Sequence, residues 1–291
     1  MLVTPLPGAN REHLLKTLKD MHTAVSNLYT GGSGPADDRL TAYVEWTTTA
    51  LQHLGNQVSS ADLDRLVLNP GYGRLLSAVG RLTSLEAGTQ RVLNGMVSLE
   101  LQQRVEAFEA ACKTLETQIQ HWSGQGIFVL PDTSIYIESP DKLEDLDFAP
   151  LVEPDWWDSP IQILVPIVVV DELDGLKNKA SKPHAKWRAG YTLGVLDQVF
   201  AKSTGPATLR APDPVASRGY VRMEMVFDPP GHVRLPINDD EIIDRALTIQ
   251  PLVGRPVTLL TYDTGQSTRA RNAGLRVKKL TKPIGDEPQR K

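Results

Sequence analysis

The sequence predicts an α/β fold in residues 125–291, a three-layer domain with a parallel sheet flanked by helices, preceded by an all-α helical bundle in residues 1–124. Apolar residues recur at helical spacing through the first part, whereas short continuous apolar runs separated by helical patterns begin after Ser123. The length of 291 residues also suits two domains better than one.

The first part carries apolar stripes typical of amphipathic helices. After the first helix the segment GGSGPADD breaks the pattern, and Asp37 or Asp38 is predicted to cap the second helix. The cluster NPGYG at 69–73 predicts a turn. The stripe of the first helix comprises Leu14, Leu18, Met21, Val25 and Leu28, and that of the second comprises Leu40, Val44, Leu51 and Leu54.

The longest apolar stripe follows a heptad pattern. Such a stripe packs either inside an antiparallel bundle of this chain or against a second chain. The helices could therefore also form a homodimer or bind a protein partner. Cys112 lies on the stripe and is predicted to be a small core residue. The stripe comprises Leu101, Val105, Phe108, Cys112, Leu115, Ile119 and Trp122.

Continuous apolar runs of strand length indicate parallel strands that are buried on both faces of a sheet. The segment 203–236 is rich in Pro and Gly, and its stretch VRMEMVF alternates like a strand, so we expect an inserted hairpin or a long loop there. The predicted strands are 127–130, 161–166, 257–262 and 275–280, and the predicted helices are 168–177, 187–200, 241–250 and 265–273.

Composition places the chain among soluble globular proteins and excludes a disordered chain, with 41% hydrophobic and 23% charged residues. No stretch approaches the ~20 apolar residues that a membrane helix needs. The start of the sequence lacks the pattern of a secretory signal. Cys112 is the single cysteine, which suits a reducing compartment. We therefore expect a cytoplasmic protein with no membrane partner.

Charge is unevenly distributed although the formal net charge is only −4. Residues 138–158 hold eight acids and one Lys. Residues 176–190 hold four Lys, one Arg and one His without an acid, and residues 269–291 hold eight basic residues and two acids. An acidic site between basic tracts suits a nuclease, which needs carboxylates for a metal and cations for phosphates. Ordinary solvated faces would produce the same pattern.

Acidic residues follow the predicted strands at the points where they end. Because ligands bind beyond the carboxyl ends of parallel strands, these acids should meet at one edge of the sheet. Carboxylates so close repel one another unless a cation lies between them, and Mg²⁺ or Mn²⁺ prefers oxygen ligands. Each acid alone could instead be a turn, cap or surface residue. The acids in question are Asp132, Asp263, Asp171 or Glu172, and Asp239 or Asp240.

The segments around these acids resemble the PIN-domain nucleases. The sequences are VLPDTSIYI, ILVPIVVVDELDGLK, NDDEIIDRAL and LLTYDTGQSTRARNAGL. The resemblance is nearest to the larger, RNA-decay-like or single-chain bacterial members, and it implies a divalent-metal-dependent endoribonuclease. Ser134 and Tyr262 stand where the family usually has Asn. The implied metal ligands are Asp132, Glu172, Asp239 and Asp263, with Thr133, Ser134, Asp240 and Thr261 as supporting or alternate residues.

Single-stranded RNA is the partner that the resemblance implies. Basic residues beside the predicted site would neutralise its phosphates. Trp156 and Trp157 form either a lid over the core or a surface for bases. The basic candidates are Lys177, Lys179, Arg269 and Arg271, with Lys182, His184, Lys186 and Arg188 further along the same tracts.

Two other functions compete with the nuclease. A PIN-type protein that binds RNA or acts as a scaffold without catalysis would have lost part of its acid set, whereas this chain retains four acids. A phospho-receiver or phosphatase also places acids at strand ends. Those folds need an acid pair or Asp-x-Asp after the first strand, and here that position reads Asp132-Thr133-Ser134.

Overall fold

A computed structural model describes residues 3–31, 34–78, 87–124, 126–152, 159–201, 203, 205–213, 218–229 and 231–281. The chain divides into two compact units. The first comprises Met1–Gly124 with Pro251–Gly254, and the second comprises Gln125–Gln250 with Arg255–Lys291. Trp156 and Trp157 lie outside the described residues. No helix in the described ranges is both long enough and apolar enough to span a membrane.

The first unit is helical, and its core forms where the apolar stripes meet. Leu14, Leu18, Met21 and Val25 are buried, as the first stripe predicts. Cys112 is buried in the same core. The helices are α1 (Arg11–Thr30), α2 (Ala36–Leu54), α3 (Ser60–Leu66), α4 (Pro70–Ala78) and α5 (Ala87–His121).

Two predictions for the helical unit are wrong in detail. The N-cap of α2 is Pro35, and Asp37 and Asp38 lie in the first turn, where their charges face the positive end of the helix dipole. The predicted turn at 69–73 is instead Asn69 followed by the first four residues of α4. The Asn69 side chain accepts a hydrogen bond from the Tyr72 amide at 2.8 Å, and proline is tolerated at the first helical position.

The second unit contains a six-stranded sheet in the order β3-β4-β2-β1-β5-β6. Only β3 is antiparallel to its neighbour. β1 and β5 are adjacent, with Pro131 opposite Leu260, so the two strands end at the same edge. The strands are β1 (Ile127–Pro131), β2 (Ile161–Pro166), β3 (Ala207–Arg210), β4 (Val221–Val226), β5 (Val257–Thr261) and β6 (Arg276–Lys279).

Helices flank this sheet, as the α/β prediction requires. The four long helical patterns each correspond to a helix, with ends displaced by up to four residues. The two short helices after β1 were not predicted, because five or six residues are too few to show a period. The helices are α6 (Thr133–Glu138), α7 (Phe148–Val152), α8 (Ile167–Lys179), α9 (Pro183–Phe200), α10 (Asn238–Val253) and α11 (Thr264–Asn272).

The segment 203–236, expected as an inserted hairpin or loop, contributes two strands to the sheet. β3 and β4 pair in antiparallel fashion, as a hairpin does. β4 also pairs in parallel with β2 over six residues, from Val221 opposite Ile161 to Val226 opposite Pro166. β4 is therefore an integral strand, and the remainder of the segment leads from it into α10.

Candidate metal centre

Asp132 follows β1 directly and is the N-cap of α6. Its Oδ1 accepts hydrogen bonds from the Ser134 hydroxyl at 2.6 Å and from the Ile135 amide at 3.2 Å. Its Oδ2 accepts one from the Thr261 hydroxyl at 2.7 Å. Only 4% of Asp132 is exposed. These bonds hold the carboxylate in one orientation at the carboxyl end of the central strand.

Thr261 and Ser134 connect the ends of β1 and β5. The Thr261 hydroxyl donates to Asp132 and accepts the Asp263 amide at 2.8 Å. The Ser134 hydroxyl accepts the Tyr262 amide at 2.9 Å. Asp263 is in turn the N-cap of α11. The hydroxyls of Thr261 and Ser134, two residues predicted to support the site, thus connect the segments that carry Asp132 and Asp263.

Glu172 lies on α8, one turn after the end of β2, and is partly exposed. The Thr133 hydroxyl donates to its Oε2, and the Asn238 amide donates to its Oε1 at 2.8 Å. Asn238 begins α10. Both carboxylate oxygens are therefore positioned by residues from other elements. Sequence reasoning missed the role of Asn238, whose only signal was its place before two acids.

Asp239 and Asp240 lie in the first turn of α10, and both contact Arg269 of α11. The Arg269 guanidinium donates to Asp239, and its Nε lies 2.9 Å from Asp240 Oδ1. Arg269 and Arg271, both predicted to neutralise phosphates, lie in the last turn of α11. Both arginines are exposed, and Arg269 pairs with two acids.

The structure brings the four acids together around one open cavity of about 490 Å³. Thr133, Ser134 and Lys179 contribute to the same wall, whereas Asp240 and Lys177 are not among its lining residues in the described part of the chain. The full lining comprises Asp132, Thr133, Ser134, Glu172, Gly175, Leu176, Lys179, Ala180, Asp239, Ile242 and Asp263.

Burial and like charge act on the acids of this cavity. The pKa of Asp132 is raised to about 6, chiefly by burial and to a smaller extent by the charge of Asp239, although the hydrogen bonds from Ser134, Thr261 and the Ile135 amide lower it. The pKa of Asp239 is also raised, by burial first and then by Asp263, Glu172 and Asp240, although Arg269 lowers it. Neighbouring carboxylates that disfavour one another's charge are the electrostatic condition that a bound divalent cation relieves.

The donor set suits a hard cation, since it consists of carboxylate and hydroxyl oxygens without sulfur or imidazole. Within the described residues, no three of these four acids have ligand atoms that all lie within 4.8 Å of one another. Mg²⁺ or Mn²⁺ commonly binds through one or two carboxylates and keeps several waters. The cavity therefore fits an ion held by few direct ligands, with the remaining acids bound through water.

A different cluster, Asp228, His232 and Glu241, does meet that spacing. Its charges are already compensated, because Arg245 Nε lies 3.2 Å from Glu241 Oε1 and Arg234 Nε lies 2.6 Å from Asp228 Oδ2. His232 Nε2 is hydrogen-bonded to the fully buried Glu241 at 2.8 Å. We interpret the cluster as an ionic network that orders the segment before α10. Sequence reasoning missed it because its members lie up to thirteen residues apart.

The structure contradicts the expectation that Arg188 contacts phosphates. Arg188 is 4% exposed, and its guanidinium donates to backbone carbonyls at the end of α6. The acceptors are Tyr136 at 3.1 Å, Ser139 at 3.1 Å and Asp141 at 2.5 Å. Arg188 is therefore an internal tie between α9 and α6, and RNA cannot reach it. Its neighbours Lys182, His184 and Lys186 are exposed.

Comparison with known proteins adds one finding. The sequence model of a PIN-domain family, described as PIN domain, matches residues 128–281, slightly more than half of the chain. No curated protein matches the chain. The match covers all four acids and every strand of the sheet except the first residue of β1.

Proposed function

The chain belongs to the PIN-domain family, a group of nuclease-type folds, and from that premise we propose that it is a divalent-metal-dependent endoribonuclease. Asp132, Glu172, Asp239 and Asp263 would hold Mg²⁺ or Mn²⁺. The observation that carries the proposal is that these four acids, from four segments of the chain, line one cavity at the carboxyl edge of the sheet. A set of unrelated turn and cap residues would not require that convergence.

The bound ion would supply charge stabilisation for the scissile phosphate and a more acidic water. The residues of the chain supply orientation. Thr261 and Ser134 fix the Asp132 carboxylate from both sides, while Thr133 and Asn238 do the same for Glu172. Because these groups are held before substrate arrives, little rearrangement is needed when charge develops on the phosphate.

Lys179 would contribute to substrate binding. It lies on the wall of the acidic cavity, at the last residue of α8. A phosphate entering the cavity would meet its ammonium group beside the acids. The cation offsets repulsion between the phosphate and the carboxylates and so favours binding of an anionic strand.

A non-catalytic RNA-binding role is the second candidate function, and one contact favours it. Arg269 pairs with both Asp239 and Asp240. A guanidinium that neutralises a ligand acid reduces the need for a metal ion at that acid. The two functions differ in whether the chain hydrolyses phosphodiester bonds or only binds RNA.

The experiment that separates them is cleavage of a single-stranded RNA by the full chain with Mg²⁺ or Mn²⁺. We expect cleavage that stops in excess chelator, and a loss of at least ~100-fold in rate for Asp132→Asn and for Asp263→Asn through lost metal ligation. Asp197→Asn is the matched control, because Asp197 is an exposed acid on α9 outside the cavity.

Cleavage that continues in chelator would contradict the metal mechanism. RNA binding without cleavage, unchanged in Asp132→Asn, would instead establish the non-catalytic role. Equal activity of Asp263→Asn and Asp197→Asn would show that the acid after β5 takes no part in the reaction.

A further inference from the structure

An exposed tryptophan and a half-buried tyrosine form an aromatic pair on α9. The rings of Trp187 and Tyr191 are stacked, with centroids 5.3 Å apart and planes 19° from parallel. Trp187 is 54% exposed. A tryptophan with this much apolar ring in water forgoes the free energy of burial, and tryptophan is enriched at binding surfaces. The feature is distinct from the acidic cavity, since neither residue lines it.

The pair is held in place by the segment that follows α6. The ammonium of Lys142 lies 5.7 Å from the Trp187 ring centroid and 5.0 Å from that of Tyr191. The Tyr191 hydroxyl donates to Glu144. The two rings are thus ordered before any ligand binds, which lowers the entropy cost of stacking a third ring on them.

The position of the pair relative to the acids is set by α6. Asp132 is the N-cap of that helix, and the buried Arg188 binds the carbonyls of Tyr136, Ser139 and Asp141 at its other end. Trp187 adjoins Arg188, so the aromatic pair lies near the far end of α6. Six helical residues span about 9 Å, so α6 connects the aromatic pair to the acidic cavity over a short length of structure.

Basic residues lie along the chain between the wall of the acidic cavity and the aromatic pair. Lys179 lines the cavity, and Lys182 and Lys186 at the start of α9 are exposed. Within the described ranges none of these three lysines has an acid within ion-pair distance. Glu144 contacts Tyr191, and its negative charge would repel a phosphate there. The backbone of a bound strand is therefore expected along Lys182 and Lys186, at the start of α9.

We propose that Trp187 and Tyr191 form a stacking platform for an unpaired base of an RNA strand whose phosphates follow Lys179, Lys182 and Lys186 into the acidic cavity. This proposal rests on the proposed function and specifies its substrate as single-stranded RNA. Aromatic faces bind bases without sequence preference, and a paired base inside a duplex does not present its face.

The test is binding of two probes by the full chain in excess chelator, where no metal-dependent cleavage occurs. One probe is a single-stranded oligouridylate, and the other is an abasic oligomer of the same length. Stacking predicts that Trp187→Ala weakens oligouridylate binding by about 5- to 100-fold and leaves abasic binding unchanged. Trp187→Tyr should retain most of the affinity. Tyr29→Ala, at an aromatic residue of α1 that is 39% exposed, is the matched control.

The results that would overturn the platform are distinct from those that would overturn the nuclease. An equal loss for both probes, or no loss, excludes base stacking at Trp187. A wild-type chain that self-associates while Trp187→Ala is monomeric would make the pair a contact between copies. If the chain cleaves RNA, Trp187→Ala should raise KM for the oligouridylate and leave kcat unchanged. Binding through Trp187 without any cleavage would contradict only the nuclease.

Discussion

Replacing Asp132 by Asn should abolish cleavage and at the same time stabilise the metal-free protein at pH 7. The pKa of Asp132 is raised from 3.8 to about 6, chiefly by burial. The folded state therefore holds the proton more tightly than the unfolded state. Stability contributed by the protonated form is present below pH 3.8 and is lost as the pH rises through about 6.

The magnitude follows from the same pKa difference. One pKa unit corresponds to about 1.4 kcal/mol, so the cost of ionising Asp132 in the folded state approaches roughly 3 kcal/mol at pH 7 and about half of that at pH 5. Asn carries no charge, and it can still cap α6 by accepting the Ile135 amide. We expect Asp132→Asn to raise the free energy of unfolding by about 1–3 kcal/mol at pH 7 in chelator.

Urea unfolding at pH 7 and pH 5 measures this, with Asp197→Asn as the control for an exposed acid. Mg²⁺ should then stabilise the wild type and not the variant, since a ligand that binds only the folded state adds stability. Two results would refute the argument from burial. One is a variant that is less stable than wild type in chelator, and the other is a difference in free energy of unfolding between the two proteins that does not shrink at pH 5.

Two further predictions concern the arginines. Arg271→Ala should reduce the slope of log affinity for RNA against log salt concentration by about 0.7, the value for one lost phosphate contact. Arg269→Ala should leave this slope unchanged, because the Arg269 guanidinium already pairs with two acids. A binding titration at several salt concentrations decides this, and equal slopes for Arg271→Ala and wild type would exclude that contact. Arg188→Ala and Arg188→Lys should each lose about 3 kcal/mol of stability in urea, because three backbone carbonyls lose a planar donor; a fully stable Arg188→Lys would contradict this.

Local sequence determined the strands and the places where the acids follow them. A continuous apolar run such as Ile127–Leu130 specifies a buried strand through its own side chains, and the residue after it must lie at the sheet edge. Asp132 and Asp263 could therefore be located without a structure. The family resemblance, carried by short segments around the acids, selected Asp239 over Asp240. Of these two acids, Asp239 is the one that lines the cavity.

Only the tertiary structure decided which strands pair and which charges are compensated. β4 belongs to the sheet because it pairs with β2, which lies some sixty residues earlier in the chain. The Pro- and Gly-rich sequence around β4 does not predict that pairing. Arg188 and Lys186 are both basic residues of α9 in sequence, but α6 buries the first and leaves the second in solvent. Arg269 reaches Asp239 thirty residues away. Burial, and with it the pKa of Asp132, depends on such long-range neighbours, which periodicity and composition do not encode.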